Sequence, residues 1–155
     1  MLIIGNGGHA KVIRDLIDLL PTMYSDSYAV IAIGDNHARK REAENHGAYS
    51  FPILIHPKAS VSRYAKIGKG TVIMAGAVVQ ADAVIGDFCI LNTLASADHD
   101  TRIGNFVHLA PGARLCGGVV VGEGSLVGVG VSLPPMSEVP EWTLVKAFVP
   151  KMRPL

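Results

Sequence analysis

Residues able to do acid–base work gather in one stretch, Asn92-Thr93-Leu94-Ala95-Ser96-Ala97-Asp98-His99-Asp100, with His108 nine positions beyond His99. Acids beside an imidazole fix its tautomer and raise its basicity, which is what a general base near neutral pH needs. A surface histidine in a polar turn has the same composition, so both readings stand at this point. Zinc usually takes at least three protein ligands. No third His, Cys or acidic residue obviously joins His99 and His108, so no metal is expected. A second cluster, Gly5-Asn6-Gly7-Gly8-His9-Ala10, lies between an apolar strand and a helix. Glycines there let backbone N–H groups and the positive helix end approach a phosphate. The spacing meets the G-x-G-x-x-A form of the dinucleotide fingerprint. The acid expected ~20 residues on, closing a second strand, has no clear counterpart, because Asp26 sits in a polar turn. A phosphate or nucleotide site and a merely tight turn are the two readings. Gly34-Asp35-Asn36 ends the next strand and would lie beside this loop, at the carboxyl edge of a parallel sheet where ligands gather.

What must position these residues is a repeat. An aliphatic residue recurs every six positions from Ile55 to Val145, and only Ala97 departs from Val, Ile or Leu. Four residues after each comes a short or β-branched one, such as Ala77, Cys89, Thr101 or Val107. A period of six fits neither a helix nor an alternating strand. It fits a solenoid of flat faces six residues wide, with large residues inward and small ones near the corners. Sixteen hexads at three faces per coil make about five coils. Gly68, Gly86, Gly104, Gly122 and Gly128 follow aliphatic positions, where corners need an unhindered backbone. His99 and His108 are half a coil apart, so they should occupy different faces of one prism. Any site using both must then be built between subunits of a homo-oligomer.

The first 54 residues follow another grammar. Leu2-Ile3-Ile4 reads as a strand, and His9 to Leu20 as a helix stopped by Pro21. Tyr28 to Ile33 is a second strand, His37 to His46 a charged and largely exposed helix, and Tyr49 to Ile55 the lead into the repeat. This is a small α/β unit with a parallel sheet. The expected organisation is an α/β domain over 1–54, the coil over 55–150 and a tail over 151–155.

Composition narrows the function classes. Net charge is +1 with no basic run, so neither nucleic acid nor an anionic membrane surface is indicated. No apolar stretch approaches the ~18 residues that span a bilayer. The N-terminus lacks the pattern of a signal peptide. Two cysteines make no disulfide framework, and Cys89 takes a small-residue slot in the repeat. A soluble, cytoplasmic protein is expected.

Taken together, the chain resembles hexapeptide-repeat acyltransferases with a left-handed parallel β-helix preceded by a small, shortened Rossmann-like domain. More narrowly it is similar to the bacillosamine-pathway UDP-4-amino-sugar N-acetyltransferases and the sialic acid O-acetyltransferases. The segments that carry the likeness are Gly5 to His9, Ile31 to Asn36, Ile55-His56-Pro57 with Ala59 and Ser62, Leu91-Asn92-Thr93, His99-Asp100 and His108 to Ala113. The resemblance implies acetyl transfer from acetyl-CoA to the amino group of a nucleotide-linked amino sugar, in a homotrimer whose coenzyme groove lies between two β-helices. His99 would be the general base and Asp100 its orienting acid. Asn92 and His108 would position substrate or thioester. Gly5, Asn6, Gly7, Gly8 and His9, with Gly34, Asp35 and Asn36, would contact the nucleotide sugar. Backbone N–H groups of Gly117 and Gly118, one coil of eighteen residues beyond His99 and Asp100, could stabilise the oxyanion of direct attack. O-acetylation of a sugar hydroxyl, a γ-type carbonic anhydrase-like metalloprotein and a non-catalytic trimer are the alternatives. The chain departs from the family pattern twice. A strand ending in paired acids is missing ahead of Ile31, where only Asp26 stands. Phe148 replaces a glycine in the loop that covers the coenzyme.

Overall fold

The computed structural model describes residues 1–20 and 25–147; Pro21, Phe148 and the tail expected over 151–155 lie outside them. The chain opens with β1 (Leu2–Ile4), α1 (Gly8–Asp18), β2 (Ala29–Ile31) and α2 (Asn36–Asn45), then runs through sixteen two-residue strands from β3 (Leu54–Ile55) to β18 (Leu144–Val145). β1 and β2 pair in parallel, Leu2 opposite Ala29 and Ile4 opposite Ile31. The later strands form three parallel sheets of five, five and six strands, each strand paired with those three before and after it in sequence. The offset is eighteen residues throughout, as in Ser96 opposite Arg114, Arg102 opposite Val120 and His108 opposite Leu126.

The hexad pattern explains this construction residue by residue. The recurring aliphatic is the second residue of each strand and points into the prism. Ile73, Val79, Leu91, Ala97, Leu109, Leu115 and Val127 are all buried in one core. The small residue four positions on fills the corner, where Ala77, Ala83, Cys89, Ala95, Val107 and Ala113 are fully buried. Hydroxyls in that slot are satisfied: Thr71 Oγ1 donates to the Gly86 carbonyl and accepts from the Cys89 N–H.

Glycine serves two distinct purposes here. From Gly70 to Trp142, the residue three after each aliphatic takes a left-handed conformation, glycine as at Gly112 (φ 69°) or not, as at Asp100 (φ 60°). The glycines one after the aliphatic, including Gly68, Gly86 and Gly104, have no such turn to make. They are required because coils touch there: a Cβ on Gly104 would stand 2.7 Å from the Glu123 backbone nitrogen.

The α/β unit docks on the outer face of the six-stranded sheet. Ala10, Ile13 and Leu16 of α1 share a core with Val30, Leu54, Val72 and Ile90. Each large apolar side chain so buried contributes roughly 1.5–3 kcal/mol. The second helix departs from its expected exposure: Arg39 and Ala43 on its inner side are buried. Outside that stripe, His37 stacks on Trp142 with ring centroids 4.1 Å apart, and Lys40 pairs with Glu123 at 2.7 Å.

Two substitutions separate the glycine roles. Gly104→Ala should destabilise the fold by about 2 kcal/mol or more, because backbone meets backbone. Gly130→Ala, with φ 66° and open space around its Cβ position, should cost only the left-handed penalty of about 1–2 kcal/mol. Thermal unfolding of both variants tests the order.

Candidate active site

His99 stands in the four-residue turn between β10 (Ser96–Ala97) and β11 (Arg102–Ile103). Adjacent coils hold that turn from both sides: the Asp100 N–H donates to the Ala81 carbonyl, and the Gly118 N–H donates to the His99 carbonyl at 3.0 Å. Asp98 Oδ1 accepts from the His99 backbone N–H at 2.8 Å, while Asp100 Oδ2 lies 2.7 Å from His99 Nδ1. A carboxylate only accepts, so the proton of a neutral ring sits on Nδ1 and Nε2 keeps its lone pair. The same hydrogen bond, reinforced by the charge of Asp98, raises the His99 pKa above 6.5. The ring is exposed but not unplaced. It lies over Gly117, where a Cβ would come within 2.7 Å of Nε2. Only glycine leaves room for that imidazole, and the Gly117 N–H makes no hydrogen bond to a described residue. The Gly118 N–H, also expected to serve an oxyanion, is engaged by the His99 carbonyl.

His108 belongs to a different sheet from the one His99 follows. It lies on β12 (His108–Leu109), with its side chain turned out from the coil toward the α/β unit. Its Nε2 is 3.1 Å from Asn92 Nδ2. An amide nitrogen donates, so Nε2 accepts and the proton sits on Nδ1. The structure therefore joins Asn92 to His108 and sets both apart from the sheet that leads to His99. Burial, then the nearby Arg39 charge and then His9, push the His108 pKa down to about 4, against a hydrogen bond to the Gly34 backbone that works the other way. His9 is held at about 4 by burial and Arg39, and its Nε2 is buried with no hydrogen-bond partner among the described residues.

The glycine-rich loop is built for access. Gly7 is the N-cap of α1 and brings no side-chain cap, so the first-turn N–H groups have no side-chain acceptor. A Cβ on Gly7 or Gly8 would meet nothing within 4 Å. A cleft of about 430 Å³ opens there, lined by Gly5 to His9 and Ala32 to Gly34. The opposite loop is different. Asp35 caps α2, its Oδ1 accepting from the Ala38 N–H at 2.8 Å. The Asn36 side chain is engaged at both ends, Oδ1 by Arg39 and Nδ2 by the Gly124 and Ser125 carbonyls. What Gly34-Asp35-Asn36 offers a ligand is mainly backbone, a point invisible in a sequence where Asp-Asn reads equally as ligand or cap. Sequence reasoning also missed Arg39. The only available signal was its position four residues before Ala43, on the same side of α2. No group of three or more His, Cys, Asp or Glu side chains able to hold a metal occurs among the described residues.

Both depressed histidines bind protons more readily in the unfolded chain, where their pKa is near 6.5, than in the fold. Stability is therefore complete above pH 6.5 and falls as pH drops toward 4, by up to about 3 kcal/mol per histidine. Urea unfolding at pH 7 and pH 4.5 should show that loss, and His108→Gln should flatten it.

The bacterial transferase hexapeptide model, six repeats, matches residues 64–93. GDP-perosamine N-acetyltransferase of Escherichia coli O157:H7 is 33% identical over 115 residues, 72% of this chain and 51% of its own. The chain spans about half the length of the curated relatives it matches. The acetyltransferase domain of PglB from Neisseria gonorrhoeae FA1090, solved with acetyl coenzyme A, superposes with a TM-score of 0.87 at 34% identity, covering 96% of this chain and 89% of that one. PerB from Caulobacter crescentus, solved with CoA and GDP-perosamine, gives a TM-score of 0.84 at 36% identity over 92% and 84% of the two chains. With about a third of its residues shared over most of these solved chains, and with the hexad coil carrying its histidine turn, the chain belongs to the hexapeptide-repeat transferase family.

Proposed function

We propose that this protein transfers the acetyl group of acetyl-CoA to the amino group of a nucleotide-linked amino sugar, with His99 as general base. The observation that carries the reading is the oriented pair: His99 Nδ1 held 2.7 Å from Asp100 Oδ2, with the ring lying over Gly117. The relatives named above, which act on or bind GDP-perosamine and bind CoA or acetyl-CoA, support the choice of both substrates.

The acceptor amine attacks the thioester carbonyl, forming the N–C bond. His99 Nε2 takes the proton that the nitrogen loses, and the imidazolium is stabilised by Asp100 and Asp98. The Gly117 N–H faces the carbonyl oxygen as it becomes an oxyanion. Collapse breaks the C–S bond, and His99 returns the proton to the departing thiolate. No acyl-enzyme is needed; positioning supplies most of the acceleration and base catalysis roughly 10²–10⁴.

The nucleotide end of the acceptor sits in the cleft at Gly5 to His9, with its phosphates toward the uncapped start of α1. In this reading the βαβα unit is a shortened Rossmann-like domain over 1–54 and the coil over 55–150 is left-handed. His99 and the Asn92–His108 pair stand on different sheets, so a neighbouring copy in a homotrimer completes the site. Asn92 and His108 then position substrate beside the partner's base. Both substrates are cytoplasmic metabolites, which is the location this reading assigns to the protein.

CoA release measured with GDP- and UDP-linked 4-amino sugars, and with hydroxyl acceptors, tests the assignment. Turnover with amines is expected; turnover confined to hydroxyls would make the protein an O-acetyltransferase. His99→Ala should lower kcat 10²-fold or more with the trimer intact by light scattering. Because the base must be unprotonated, kcat should fall as pH drops through the raised His99 pKa. Asp100→Asn should move that acidic limb to lower pH and reduce kcat as well.

A further inference from the structure

The side chain that most firmly joins the α/β unit to the coil is one the proposed chemistry does not use. Arg39, in the first half of α2, is 1% exposed. Its guanidinium makes five hydrogen bonds, none of them to a carboxylate. Nε donates to the Phe88 carbonyl at 2.8 Å, and Nη1 donates to the Ile33 and Gly34 carbonyls, each at 3.0 Å. Nη2 donates to the Phe106 carbonyl and to Asn36 Oδ1, both at 2.7 Å. Phe88 and Phe106 occupy the same corner of successive coils, their rings stacked with centroids 5.4 Å apart. Asn36 extends the connection one coil further through its bonds to Gly124 and Ser125. Arg39 and Asn36 together thus tie the 33–36 loop to three consecutive coils.

Stability alone is a poor reason for such a group. Burying a charge is costly even when it is well hydrogen-bonded, and apolar replacements of similar volume are often as stable. What the guanidinium does fix is geometry. Gly34 lines the cleft at the glycine-rich loop and also a second depression, of about 300 Å³, reaching His37 and Trp142. The Gly34 backbone also acts on His108, working against the fall of its pKa. We propose that Arg39 is a positioning residue that sets the Ile33–Asn36 loop against the coil face carrying His108, and thereby places the acceptor's amine. This rests on the acetyltransferase reading above. Its charge acts on the same place: it is a cause, after burial, of the neutral state of both His9 and His108. Arg39 itself is drawn down to about 10 by burial and remains charged at neutral pH.

Lysine keeps the charge but lacks the planar fork, and methionine keeps only the stem. Lys40→Met is the control, because it removes the Lys40–Glu123 pair that anchors the same helix to the coil without touching the loop. In Arg39→Lys and Arg39→Met, the KM for a GDP- or UDP-linked 4-amino sugar should rise tenfold or more while the KM for acetyl-CoA stays within twofold. Lys40→Met should leave both within twofold. An unchanged acceptor KM in a folded Arg39 variant, or an equal rise in both constants, would overturn the proposal. If the wild-type protein acetylates no amino sugar, the functional reading fails, and a crystal structure of whichever Arg39 variant folds decides the positioning role. Displacement of residues 33–36 by 1 Å or more against unmoved coils supports it; an undisturbed loop overturns it.

Discussion

Everything in this molecule hangs on the eighteen-residue register of its parallel ladders. Each coil closes in three faces of six residues, so the backbone N–H groups of strands inside the stack find carbonyls of the coils beside them. Because the register never slips, a residue and its neighbour eighteen positions on are stacked at one corner. That is why His99 lies over Gly117, why Phe88 stacks on Phe106, and why glycine follows the inward aliphatic where backbones meet. A side chain in the first of those corners is held between neighbouring coils even though it is exposed to solvent. Preorganisation of this exposed imidazole therefore comes from the ladder rather than from burial.

The histidines show how one fold sets opposite protonation states. His99 stands in the open, flanked by two acids, and its basicity is raised. His9 and His108 are enclosed between the α/β unit and the coil, near the Arg39 guanidinium, and are held neutral. The first environment suits proton transfer. The second suits a polar wall whose hydrogen bonds, such as Asn92 to His108, have a fixed direction. The junction that creates the second environment is apolar at one end, where α1 meets Leu54, Val72 and Ile90, and polar at the other, where Arg39 fastens the Ile33–Asn36 loop.

The sequence by itself determined the coil, its inward residues and the histidine turn. A period of six has few physical solutions, and each aliphatic position was found inside the prism or packed against its core. The placement of His99 and His108 on different faces also followed from counting. The oriented His99–Asp100 pair was legible because the interaction is between adjacent residues. The tertiary structure alone decided what depends on contacts between distant segments. A charged helix read as exposed buries an arginine, because the carbonyls that satisfy it come from residues 49 and 67 positions away. Asn36 lost its side chain to Gly124 and Ser125, and Gly118 lost its N–H to His99, for the same reason. Spacing along a chain reveals which face a residue occupies, but not which donor or acceptor another segment has already taken.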